Sequence, residues 1–108
     1  MSQDPVVIVG MARTPMGGFQ GDLKDVPAPQ LGAAAIKAAL ENAGITGDEV
    51  DEVIMGNILS AGQGQAPARQ ASIGAGVPQS VGCTTINKMC GSGMKATMFA
   101  NDLISAGT

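Results

Sequence analysis

Cys83-Thr84-Thr85-Ile86-Asn87-Lys88-Met89-Cys90-Gly91-Ser92-Gly93-Met94-Lys95-Ala96 is the stretch on which the fold turns. Its first half, Cys83 to Met89, holds the β-branched Thr84, Thr85 and Ile86 and reads as a strand. From Gly91 to Ala106 the spacing changes to that of a helix, with Ala96, Phe99, Ala100 and Leu103 three and four residues apart and Gly107 placed to close it. A strand therefore runs straight into a helix, with Cys90 at the corner.

Upstream the same alternation repeats. Val6-Val7-Ile8-Val9 is a continuous apolar run, the pattern of a strand covered on both faces, and Gly10 with the Pro15, Gly17, Gly18 and Gly21 cluster ends it. Pro27 and Pro29 open a helix through about Ala43, with Ile36, Leu40 and Ala43 on one face, Gly44 as its cap and enough alanine to imply close packing. Val50 and Val53-Ile54-Met55 form a second strand, and Pro67 starts a helix that ends near Gly76, with Pro78 beyond it. The order β-α-β-α-β-α predicts an α/β fold: a mostly parallel sheet, right-handed crossovers and helices on both faces. The last helix also carries Met94, Met98 and Ile104, which leaves a narrow polar strip and predicts burial on more than one side.

Composition narrows the function. The chain has 108 residues, the size of one small domain, with 44% hydrophobic and 14% charged residues, so a packed core is expected rather than disorder. Aromatic residues make up 2%, which removes the stacking platforms of single-strand nucleic-acid binders. The net charge is -3, and Asp48, Glu49, Asp51 and Glu52 cluster in what reads as a solvated turn, so no basic stripe tracks a phosphate backbone. Two cysteines and no histidine are a poor zinc set. The first nine residues show no basic leader and no membrane span, giving a cytoplasmic, reducing setting with free thiols as the expectation.

Cys90 is the residue positioned for chemistry. Backbone N–H groups at a helix start favour negative charge, Lys88 and Lys95 add to it, and both effects favour the thiolate, a strong nucleophile. Gly91 and Gly93 leave room for a carbonyl to approach the sulfur and for N–H groups to meet a developing oxyanion. The competing reading makes Cys90 a small buried hydrophobe and the glycines a tight turn. Cys83, inside the strand, reads as structural, and a Cys83–Cys90 disulfide is disfavoured because seven positions of strand span about 20 Å. Gly62-Gln63-Gly64 lacks the Lys-Ser/Thr ending of a phosphate loop and reads as a turn, while Arg13 and Arg69 read as surface or interface ion-pair residues.

The segment Asn87 to Ala96 resembles the active-site cysteine motif of the thiolases, in particular the acetyl-CoA acetyltransferases. Ala12-Arg13-Thr14-Pro15 with Gly17-Gly18-Phe19, Leu31-Gly32-Ala33, Glu52 to Asn57 and Gly62 to Ala71 resemble the thiolase N-terminal half in the same order, so the likeness spans nearly the whole chain. It implies two similar α/β halves packed face to face, and ping-pong acyl transfer through an acyl-cysteine at Cys90, whose backbone N–H is one oxyanion donor. Two molecules of acetyl-CoA would give acetoacetyl-CoA, with thiolytic cleavage as the reverse. Coenzyme A thioesters enter as substrates with no tightly bound cofactor. The subunit would form a homodimer or homotetramer, the third strand lying near the dimer interface, with no nucleic-acid or membrane partner.

Thiolases also use a histidine and a second cysteine from their C-terminal half, and neither role is filled here. Residues 1–108 therefore read as a partial N-terminal domain, with no second domain, expected to be inactive alone. The alternatives are a 3-ketoacyl-CoA thiolase of longer chain preference, a ketoacyl synthase, or a non-catalytic thiolase-fold subunit in which Cys90 is inert.

Overall fold

A computed structural model describes residues 4–108. The helix predicted from Pro27 to Ala43 is α1, Ala28–Ala43, entered from an extended Pro27 and closed by Gly44 in the left-handed region at φ 71°. Only glycine adopts that angle without strain, so Gly44→Ala is expected to lower unfolding free energy by about 1 kcal/mol, read from the denaturant midpoint. A 3₁₀ turn at Gly47–Glu49 follows, where the Thr46 N–H donates to Glu49 Oε2 at 2.8 Å. The acidic cluster is exposed there, as expected.

Strand β1, Glu52–Gly56, leads through a glycine-bearing loop to α2, Pro67–Gly74, then to strand β2, Gly82–Ile86, and α3, Ser92–Ala106. The two strands pair in parallel, with Val53 opposite Cys83 and Gly56 opposite Ile86. Val53, Val77 and Val81 form the buried core, against which Ile36, Leu40, Val50, Met55 and Cys83 pack. Small residues bring the two covering helices close: a methyl on Gly32 would stand 3.0 Å from Ala71 Cβ, and one on Gly74 3.1 Å from Ala33 Cβ. The alanines of α1 serve the close packing that their number predicted.

Side chains alternate along β1. Val53 and Met55 face the core on the α1 and α2 side. Ile54 and Gly56 border α3 on the other, across a groove of about 990 Å³ that Ala96, Ala100 and Leu103 also line. Helices therefore lie on both faces of a parallel sheet, as the element order predicted.

Two expectations are corrected. Val6 to Val9 is not a strand: Val7, Ile8 and Val9 are 65%, 77% and 65% exposed. A strand needs a hydrogen-bonding neighbour, which β-branched propensity cannot supply, and none of the described residues provides one. The segment is held instead against α1. Gly10 lies so near it that a methyl there would be 2.6 Å from the Ala39 carbonyl oxygen, and Asn42 Nδ2 donates to the Met11 carbonyl at 2.9 Å.

The second correction concerns α3, which is buried on one side only. Ser92 and Ala96 are its buried residues, whereas Met94 is 73% and Ile104 55% exposed, and Met98 and Phe99 are exposed as well. The helix packs chiefly on β1.

Candidate active site

Strand β2 stops at Ile86, three residues earlier than the apolar pattern suggested, because local side chains capture the backbone beyond it. Asn87 Oδ1 accepts the Met89 N–H at 2.9 Å, a turn that competes with continued pairing. Asn87 Nδ2 donates to the Ile58 carbonyl at 3.3 Å, tying the corner to the loop after β1. Met89 then takes a left-handed conformation at φ 45°, an angle that costs a non-glycine residue on the order of 1 kcal/mol.

Ser92 holds this bend together. Its Oγ accepts the Lys88 N–H at 2.9 Å and donates to the Met89 carbonyl at 2.6 Å, and its own N–H also donates to that carbonyl at 3.0 Å. The Gly91 N–H closes the turn onto the Lys88 carbonyl at 3.0 Å. Ser92 is 4% exposed and is backed by the end of β1, where Gly56 leaves no room for a side chain: a methyl there would lie 2.7 Å from both the Ser92 carbonyl carbon and its Cβ.

Cys90 projects from this bend, exposed and unpaired, with α3 beginning two residues later. Among the described residues none buries Cys90, in contrast to the buried-hydrophobe reading. Helical bonding back to the corner begins with the Lys95 N–H on the Gly91 carbonyl at 2.9 Å, so the turn around Cys90 lies at the donor end of the helix. Cys83 is also a free thiol, half-buried, its Sγ 3.5 Å from the Val81 carbonyl. Lys95 Nζ sits 5.0 Å from the centroid of the Phe99 ring, one turn further along the helix.

The second glycine-bearing segment is a self-bonded loop. Gly62 and Gly64 have φ of 77° and 83°, Asn57 and Gln63 exchange side-chain hydrogen bonds, and Gln70 Nε2 donates to the carbonyls of Gln63 and Gln65 at 2.8 and 2.7 Å. Thr85 Oγ1 accepts the Ala68 N–H at 3.0 Å, docking the start of α2 on β2. Arg69 donates to the Gln79 carbonyl at 3.2 Å, a structural contact, and Arg13 lines a separate open groove with Leu23 and Leu31. No group of three or more metal-ligating side chains occurs among the described residues, and no helix among them is long and apolar enough to cross a membrane.

The family model for the thiolase N-terminal domain matches residues 6–108. The chain is 61% identical over 102 residues to a mitochondrial acetyl-CoA acetyltransferase of Xenopus tropicalis, covering 94% of this chain and 24% of that protein. It is 60% identical over the same length to acetyl-CoA acetyltransferase 2 of Arabidopsis thaliana and to an acetyl-CoA acetyltransferase of Cupriavidus necator, covering 25% and 26% of them. The crystal structure of the Acat5 thiolase from Ascaris suum in complex with coenzyme A superposes with a TM-score of 0.90 at 40% identity, over 93% of this chain and 26% of that one. The chain thus spans about a quarter of the length of the relatives it matches. With its parallel strands, its exposed cysteine at the β2–α3 corner and a family match running from Val6 to Thr108, the chain belongs to the thiolase family.

Proposed function

We propose that the protein to which these residues belong is a thiolase-type acyltransferase, with Cys90 as the nucleophile that carries the acyl group. The observation that carries the reading is the exposed Cys90 thiol at the start of α3, in a chain about 60% identical to proteins named acetyl-CoA acetyltransferases. The Cys90 sulfur attacks the carbonyl carbon of acetyl-CoA. A new carbon–sulfur bond forms, the carbonyl oxygen becomes an oxyanion facing the Cys90 N–H, and the bond to coenzyme A breaks to release its thiolate. The deprotonated methyl carbon of a second acetyl-CoA then attacks the acetyl carbonyl, a carbon–carbon bond forms, the acyl bond to Cys90 breaks to return its thiolate, and acetoacetyl-CoA is released; thiolytic cleavage runs the same steps backwards.

These residues span about a quarter of the relatives' length and match the thiolase N-terminal domain, so they are assigned to part of that domain, and the group that removes the methyl proton to the rest of the protein. Substrates are coenzyme A thioesters, and the short acyl chain follows the names of the relatives above.

The test is to incubate the full-length protein with acetyl-CoA and map acetylation by peptide mass spectrometry, with Cys90→Ser as control. Acetyl on Cys90, absent in the control, is expected. An unmodified Cys90 that is acylated by longer 3-ketoacyl-CoA thioesters would replace acetyl by a longer acyl group. A Cys90 that no acyl-CoA modifies would overturn the nucleophile.

A further inference from the structure

We infer that Ser92 is a positioning residue for acyl transfer, one whose hydroxyl fixes the direction of the Cys90 N–H that stabilises the oxyanion. This rests on the function proposed above. The peptide unit joining Met89 to Cys90 carries the Met89 carbonyl on one side and the Cys90 N–H on the other, and in a planar trans peptide the two point in opposite directions. Whatever orients that carbonyl therefore orients that N–H.

Two donors orient it, and both belong to Ser92: the backbone N–H at 3.0 Å and the hydroxyl at 2.6 Å. The same hydroxyl accepts the Lys88 N–H at 2.9 Å, so one side chain pins the Asn87–Lys88 and Met89–Cys90 peptides, while Asn87 Oδ1 and the Gly91 N–H hold the Lys88–Met89 peptide between them. A strained backbone angle persists only where its surroundings over-determine it, and here they do so from a buried position backed by Gly56. The Cys90 N–H consequently points away from Ser92, with its direction set before any substrate arrives, the condition under which an oxyanion donor is most effective. Ser92 touches neither the sulfur nor the acyl group in this role.

Two reactions of the same sulfur separate this role from general support of the fold. Acetylation by acetyl-CoA builds negative charge on a carbonyl oxygen. Alkylation by iodoacetamide displaces iodide from a saturated carbon and builds no oxyanion, so it reads the thiol alone. In the full-length protein, Ser92→Ala is expected to slow single-turnover acetylation of Cys90 by about 10- to 100-fold. Iodoacetamide labelling should stay within about threefold of wild type and KM within about twofold, since ground-state binding is untouched. Ser92→Thr, which keeps the hydroxyl, is expected to recover most of the acetylation rate.

Should Ser92→Ala fail to fold, Asn87→Ala carries the test. Its exposed side chain holds the neighbouring Met89 N–H, and its loss is expected to slow acetylation several-fold with labelling unchanged. Wild type acetylated at Cys90 with Ser92→Ala equally fast, or both reactions slowed alike, would overturn the role of Ser92 alone. Wild type that no acyl-CoA acetylates would overturn the thiolase reading and this role with it.

Discussion

Full-length protein carrying Cys90→Ala is expected to lose at least about 10³-fold in acetoacetyl-CoA thiolysis, with Cys83→Ala remaining within about threefold of wild type. The contrast follows from where each sulfur sits. Cys83 is half-buried in β2, packs on the Val53, Val77 and Val81 core, and its Sγ lies against a backbone carbonyl. Cys90 is exposed on a bend whose backbone is held by five hydrogen bonds from Asn87, Ser92 and Gly91, so its sulfur meets solvent in a fixed direction. Covalent catalysis through a thiol has no substitute when the thiol is removed, because neither hydroxyls nor water at that place match its nucleophilicity at neutral pH. Initial rates at saturating and limiting coenzyme A give the comparison. Equal losses in the two variants, or none in Cys90→Ala, would remove Cys90 from the mechanism.

Gly56→Ala is expected to destabilise the protein by about 3 kcal/mol and to lower thiolysis by at least about 10-fold, although Gly56 touches no substrate. The added methyl would lie 2.7 Å from the Ser92 carbonyl carbon and Cβ and 2.8 Å from the Gly93 nitrogen. Two of these are backbone atoms of a helix start, which cannot rotate aside as a flexible side chain can, so β1 and α3 must separate. Separation draws Ser92 away from Met89 and loosens the bend that presents Cys90. Urea unfolding monitored by circular dichroism checks the first part: the midpoint should fall with the slope unchanged. A variant as stable and as active as wild type would show that the strand and helix ends tolerate a wider gap.

How far the sequence alone could reach is clear from particular residues. Pro27 and Gly44 mark the limits of α1 because each encodes a backbone angle directly, and Pro67 does the same for α2. Parallel pairing followed from strands separated by a helix. Val6 to Val9 misled because strand propensity describes a residue's fit to a sheet and not the presence of a neighbour. Helix α3 misled in the same way, its apolar circumference stating a need for cover that the described residues meet on one side.

At the site, Cys90 could be located because a strand pattern meets a helix pattern there. The bend itself could not be foreseen: nothing in methionine signals a left-handed angle at position 89, and glycines on the far side of Cys90 suggested the turn lay there. Asn87 and Ser92 were visible as members of a motif, but their bonds depend on that angle. The contact of the Lys95 ammonium with the Phe99 ring, four residues on, has no separate signal in the sequence.

The parallel register carries a kinetic consequence. Glu52 pairs with Gly82 and Gly56 with Ile86, so every rung of the ladder joins residues thirty apart, and closing that loop costs about 3 kcal/mol of chain entropy before any rung forms. Helix α2 can form from local contacts at once; the strands cannot. Since Gly56 backs Ser92 only after β1 has reached its place beside β2, that backing is expected to come later in folding than the local bonds of the Cys90 bend, and a change in the reactivity of that thiol during refolding would time the closure of the sheet.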